Sequence, residues 1–283
     1  MPDSKPKTID ALRELARQHA PEPIKKIVRA ARRALGYLRG PTPAPYDVRP
    51  FLRTPDPAVM AAAASNDFER MFYGHEGRQS FKPHHYFEIY DRHLSRFRGT
   101  TVRILEIGVQ TGGSLQLWRK YFGQNATVFG IDIDERCRFM NDADAQVRIG
   151  SQADPAFLRS VVEEMGGLDV VVDDGGHVAE HQRISFDTLF PLLSQSGIYI
   201  CEDLCTSYWD VYHNGGYRRP GTFIEYVKQM IDDLHAWYHD EPQRAVPNAT
   251  TSIHAICMYD SMVVIEKRPK GRPFFSGMPP NKS

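Results

Sequence analysis

Leu168-Asp169-Val170-Val171-Val172-Asp173-Asp174-Gly175-Gly176-His177 is a short, mostly β-branched apolar run that ends in acids, two glycines and a histidine. Apolar runs of this length, bounded by turn residues, read as buried parallel strands. A second run, Gly197-Ile198-Tyr199-Ile200-Cys201, ends in Glu202-Asp203. In open α/β sheets, groups just past the carboxyl ends of the strands face the ligand crevice. Asp174, Glu202, Asp203 and His177 are therefore expected at one rim. Oxygen-rich acid clusters suit hard cations such as magnesium, and a neutral imidazole suits proton removal. Glu202 and Asp203 are adjacent, so both reach a metal only if the strand has ended before them.

Outward from this stretch the pattern alternates. Strands are expected at residues 102–107, 127–133 and 146–149, with helices at 113–122, 135–141, 155–165 and 180–193. Such alternation means a mostly parallel sheet with helices on both faces. Gly221 to Tyr238 reads as a helix after a long loop. Ser252 to Met258 and Met262 to Lys267 are strands joined by only Tyr259-Asp260-Ser261, which forces them antiparallel. Residues 58–100 form a helical lead-in, with helices at 58–66 and 84–97. Between these, Tyr73 to Tyr86 carries His75, His84 and His85 without a cysteine, a spacing unlike a structural zinc site. It reads as a loop bordering a ligand pocket.

With 283 residues, one large domain with extensions is the default. A balanced formal charge of +0 gives no sign of a nucleic-acid partner. Cys137, Cys201, Cys205 and Cys257 lack Cys-x-x-Cys spacing, which favours a reduced cytoplasmic setting. No apolar run approaches a membrane span, and the start is polar rather than signal-like. Residues 1–57 differ from the rest, with twelve Lys and Arg against six Asp and Glu. Pro23 to Arg39 can form a basic amphipathic helix, followed by a Pro-rich linker. That helix suits packing on the chain's own body or a partner subunit in a homo-oligomer; contact with an anionic membrane or a lipid-linked acceptor is the other reading. Residues 269–283 read as an irregular tail.

Leu105-Glu106-Ile107-Gly108-Val109-Gln110-Thr111-Gly112-Gly113-Ser114 ends the first strand and opens a helix, where glycine lets backbone approach a ligand. It lacks the Gly-x-Gly-x-x-Gly spacing and the phosphate-loop lysine, so a nucleoside without phosphates fits better. Asp132, ending the second strand, is spaced to hold a ribose diol. A turn glycine and a helix-capping aspartate are the plainer readings of each alone.

Together these motifs resemble the class I S-adenosylmethionine-dependent methyltransferases, and more specifically the macrocin O-methyltransferase type of sugar methyltransferase. The resemblance is carried by residues 105–118, Asp-Asp-Gly-Gly-His at 173–177, Leu-Phe-Pro at 189–191, Tyr-Ile-Cys-Glu-Asp-Leu at 199–204 and Ser-Tyr-Trp at 207–209. Gly176 and Cys201 depart from the pattern. It implies a Rossmann-like sheet of seven strands with a C-terminal antiparallel hairpin. It implies S-adenosylmethionine held by Glu106, Gly108, Gly112, Ser114, Asp132, Ser151, Gln152 and Asp173. Asp174, Glu202 and Asp203 match the magnesium acids, and His177 the general base. Asp173 is open to a second reading, as a cap of the following helix. Tyr208, Trp209 and Tyr212 form a substrate wall or a plain patch under the loop. His181, one turn beyond His177, reads as a residue that supports the site from behind or is merely structural.

The chemistry implied is magnesium-dependent methylation of a hydroxyl on a sugar with vicinal hydroxyls. The metal fixes the diol and lowers the pKa of the reacting hydroxyl, while His177 takes its proton. The alternatives are a catechol or other non-sugar diol as acceptor, or a scaffold without catalysis.

Overall fold

A computed structural model describes residues 56–212, 215–241 and 243–278. The expected basic helix at 23–39 and the linker after it lie outside these residues.

The apolar runs become β1 (Arg103–Ile107), β2 (Thr127–Asp132), β3 (Gln146–Ile149), β4 (Leu168–Asp173), β5 (Leu193–Cys201), β6 (Ile253–Tyr259) and β7 (Met262–Lys267). They form one sheet in the order β3-β2-β1-β4-β5-β7-β6. Strands β1 to β5 are parallel, and β7 runs antiparallel to both β5 and β6. Successive strand residues point to opposite faces. Ile104, Val128, Val170, Ile198 and Val264 therefore enter one core, and Leu105, Phe129, Val171, Tyr199 and Ile265 the other. This is why the runs are continuously apolar. The crossover in strand order between β1 and β4 leaves a crevice at the carboxyl ends of the strands.

Helices α1 (Pro57–Ala63), α2 (Asp67–Tyr73), α3 (Tyr86–Leu94) and α4 (Gly113–Phe122) precede or follow β1. Phe68 of α2, Tyr90 of α3 and Trp118 of α4 meet at ring separations of 4.9 to 5.2 Å in the first core. The lead-in is thus part of the body of the domain. Helices α5 (Pro155–Glu164), α6 (Ala179–Leu189) and α7 (Phe223–Leu234) supply Leu158, Phe186 and Phe223 to the second core.

Four details differ from the sequence reading. The expected helix at 58–66 stops at Ala63, and α2 starts afresh. Asn66 caps it by accepting the Glu69 amide at 2.8 Å, while the Glu69 carboxylate reaches back to the Ser65 amide at 2.9 Å. The expected helix at 135–141 is a 3-10 segment, Glu135–Met140. The expected helix at 180–193 ends at Leu189, because Pro191 cannot continue it. A short helix, α8 (Asn248–Ser252), leads into β6. Residues 269–278 carry no regular secondary structure.

Candidate active site

The tips of β1 and β4 touch. The Asp174 amide donates to the Ile107 carbonyl at 3.0 Å, and a side chain on Gly108 would run into the Asp174 carbonyl. Gly108 also has φ +95°, so glycine is required twice over. Gly112, at φ +75°, turns the chain into α4.

Asp132 stands beside this turn. Its Oδ2 accepts the Val109 and Gln110 amides at 2.9 and 3.1 Å, and its Oδ1 accepts the Asp134 amide at 2.9 Å. Burial pushes against ionisation, yet these three amides hold the carboxyl below its usual range. Asp132 thus shapes the loop with its own oxygens.

Above the turn lies a cavity of about 1020 Å³. Gly108, Ser114, Asp132, Ser151 and Gln152 line one end, and Asp174, His177 and Asp203 line the other. Glu106, Gly112 and Asp173, also expected to hold the donor, are not among the lining residues. Glu106 and Asp173 are fully buried beneath the rim. Glu106 accepts the Ser114 hydroxyl at 2.7 Å, and Asp173 accepts the Tyr199 hydroxyl at 2.8 Å and the Gln152 amide at 3.2 Å. Burial pushes each of them up to about 7. Asp173 does not cap α6, whose cap position is Val178. Gln152 is a strut as well as a wall, since its carbonyl accepts the Gly176 amide at 2.7 Å.

At the other end β5 stops at Cys201. Asp203 takes the left-handed conformation, φ 53° and ψ 38°, so Glu202 and Asp203 diverge instead of alternating across a strand. Asp203 accepts the Tyr86 hydroxyl at 2.8 Å. The His177 Nε2 lies 3.6 Å from Asp203 Oδ2 and 3.9 Å from Asp174 Oδ1. Asp174, His177 and Asp203 offer ligand atoms within 4.8 Å of one another. Glu202, the third acid expected at the metal, is not part of that group. It is turned below the rim, where Tyr90 donates to it at 2.5 Å and Lys82 at 2.8 Å. Burial pushes Glu202 up, and the Lys82 ammonium draws it back. Burial alone would discharge Lys82, but the carboxylates of Glu202, Asp174 and Glu106 hold it well above its usual range.

The Tyr212 ring lies 6.1 Å from His177, with Trp209 5.9 Å behind it. Tyr208 instead faces Tyr217 at 6.3 Å and is exposed. His181 lines the cavity wall as well. His75, His84 and His85 each find a separate partner, in the Arg78 carbonyl, the Tyr73 hydroxyl and the Asp260 carbonyl. The loop they sit in does border the cavity, through Gln79 to Lys82. Sequence reasoning missed Lys82, Tyr86 and Tyr90. The available signal was the four-residue spacing of the two tyrosines, which puts both on one face of α3.

A seven-stranded sheet with an antiparallel β7 between β5 and β6, and a cleft over the β1 and β2 tips, defines a class I methyltransferase fold. Residues 105–204 match the family described as Methyltransferase domain. Within that class the chain is similar to sugar O-methyltransferases of the macrocin type. It is 36% identical over 77% of its length to the 8-demethyl-8-(2-methoxy-alpha-L-rhamnosyl)-tetracenomycin-C 3'-O-methyltransferase of Streptomyces olivaceus, covering 58% of that protein. It is 34% identical over 66% of its length to the demethylmacrocin O-methyltransferase of Streptomyces fradiae, covering 48% of it. The solved MycE methyltransferase of the mycinamycin pathway, in complex with Mg and SAH, aligns over 77% of this chain and 55% of its own, with a TM-score of 0.64 and 28% identity. The chain spans about half the length of the curated relatives it matches. Among the described residues no helix is long and apolar enough to cross a membrane.

Proposed function

We propose that the chain is a magnesium-dependent O-methyltransferase that uses S-adenosylmethionine to methylate a sugar hydroxyl with a neighbouring hydroxyl, His177 serving as base. The observation that carries this reading is the convergence of Asp174, His177 and Asp203 on the cavity that Gly108 and Asp132 also line. Both groups fit the residues present. Gly108, Ser114, Asp132, Ser151 and Gln152 line one end of a cavity of about 1020 Å³, and two outward carboxylates form a hard-oxygen donor set. Two relatives are named as O-methyltransferases of a rhamnosyl-tetracenomycin C and of L-olivosyl-oleandolide.

Ser114, Asp132, Ser151 and Gln152 would hold the donor, and Asp174 and Asp203 the metal. When bound, the donor supplies an electrophilic sulfonium methyl group, and magnesium polarises the acceptor hydroxyls. The remaining work belongs to the chain. Asp203 is fixed by the Tyr86 hydroxyl, so its other oxygen stays aimed at the cavity. His177 Nε2 would be the base that takes the proton of the acceptor hydroxyl. His177 has a left-handed backbone, φ 52°, and its Nε2 lies 3.6 Å from Asp203 and 3.9 Å from Asp174. Tyr212 and Trp209 form an aromatic wall against which a sugar face packs.

The test incubates the purified chain with labelled donor, magnesium and a panel of glycosides and catechols. Methylated glycoside is expected, with EDTA stopping the reaction. His177→Ala should lower turnover by about 10²- to 10⁴-fold and leave donor affinity, read by calorimetry, unchanged. Full activity in EDTA, or His177→Ala at the wild-type rate, overturns the reading. Transfer to catechols alone replaces the sugar by another diol.

A further inference from the structure

Lys82 has no part in the chemistry above, yet its side chain is only 6% exposed and ends among the acids. Its Nζ bonds Asp174 Oδ2 and, at 2.8 Å, Glu202 Oε2. The segment that delivers it is tied down on the way. The Arg78 amide donates to the Gln116 side chain at 2.8 Å, and the Gln79 carbonyl accepts the Thr111 hydroxyl. Gly113 lies so close beneath that a side chain there would strike the Gln79 carbonyl. Lys82 is thus presented to the cluster by design of the backbone.

We propose that Lys82 is a resident cation of the acid cluster, a positioning residue that sets how strongly the site takes up a divalent ion. This rests on the metal reading given above. Three carboxylates, Asp174, Glu202 and Asp203, meet at the cavity rim with Glu202 buried beneath it, and like charges this close repel one another. A buried charge persists only when paired. Lys82 answers both problems for Glu202 and for one oxygen of Asp174. In the ion-free chain Asp174 Oδ1 and Asp203 are left facing His177, and an ion that reaches for Glu202 must displace the ammonium. The ammonium holds the rim together when no ion is bound, and it opposes an incoming ion by direct repulsion. Removing its charge must therefore have two opposite effects. The ion-free protein becomes less stable, and the ion binds more tightly. A merely structural lysine would weaken both.

The experiment titrates the full chain with Mn²⁺, without donor or acceptor, by calorimetry and by loss of the free-ion resonance signal. Lys82→Met should bind Mn²⁺ about tenfold more tightly or better. Its thermal midpoint should fall without metal and recover at saturating Mn²⁺. Lys82→Arg should stay within about threefold of wild type, because it keeps the charge. Lys82→Gln keeps hydrogen-bond donors without the charge, and gives the same readout if the Met variant does not fold. Equal or weaker Mn²⁺ binding by the neutral variants overturns the proposal while leaving the metal reading intact. No Mn²⁺ binding by any form at millimolar concentration overturns both.

Discussion

The two ends of the cavity use the same residue type in the same place, an aspartate at a strand tip, for different ends. At the β2 tip, Asp132 has both oxygens engaged by backbone amides. At the β4 and β5 tips, Asp174 and Asp203 keep 24% and 34% of their side-chain surface open and turn an oxygen each toward His177. The first builds a wall, and the second offers ligands. What separates them is who already occupies the lone pairs, a property that position along a strand does not determine.

Paired substitutions offer the sharpest way to break this contrast. Asp203→Asn keeps the Tyr86 hydrogen bond but loses a ligand charge. It should cost turnover about 10³-fold and abolish Mn²⁺ uptake, with stability within about 1 kcal/mol of wild type. Asp132→Asn puts an N–H against an amide donor. It should cost about 2 kcal/mol of stability and weaken donor binding, while Mn²⁺ affinity holds. Denaturant titration and calorimetry on both variants decide it. Matching losses of stability and metal affinity in the two would erase the distinction.

A second comparison runs vertically, between acids at the rim and acids beneath it. Glu106 is fully buried, and its carboxyl is pushed from 4.5 up to about 7 by burial. A raised folded-state pKa means the folded form binds the proton more tightly than the unfolded one. The resulting stability is present below pH 4.5 and is lost as pH rises through about 7. Wild type should therefore lose about 3 kcal/mol from this group between pH 4 and pH 8. Glu106→Gln should show a flatter profile over the same window. Parallel urea midpoints for both proteins across that range would mean that Glu106 ionises without penalty.

The sheet was legible because the central strands β1, β2, β4, β5 and β7 bury apolar residues on both faces, a pattern that few other elements share. The hairpin was legible because so short a link between β6 and β7 leaves one geometry. The rim was legible as a set, and Asp174, His177 and Asp203 do meet. The division of labour inside that set was not. Glu202 and Asp203 differ by one residue, and only the left-handed turn at Asp203 sends them to different partners. The Lys82 contact spans 120 residues of sequence to Glu202, so no local pattern announces it. Glu106 and Asp173 sit within the most recognisable motifs, yet the pleat turns both under the rim. Motif spacing identifies a neighbourhood, while side-chain direction depends on the strand's last residue.

The smallest expected effect concerns the strap over the donor end. Arg78 donates to the Met140 carbonyl at 3.2 Å and pairs with Asp142, tying the loop before Lys82 to the segment after β2. Both partners are about a quarter exposed, 26% and 29%, so the pair is screened by water. Arg78→Ala should change stability by less than about 1 kcal/mol. Gln79, Ser80 and Phe81 nonetheless line the cavity beside Met140. Loosening their anchor lets the wall move, and donor binding must then order it again at a cost in conformational entropy. Donor affinity should fall severalfold with no change in Mn²⁺ affinity, because the strap stays fixed nearer Lys82 by the bond between Thr111 and the Gln79 carbonyl. If Mn²⁺ affinity shifts together with donor affinity, the strap behaves as one rigid piece and the two ends of the cavity are mechanically joined through it.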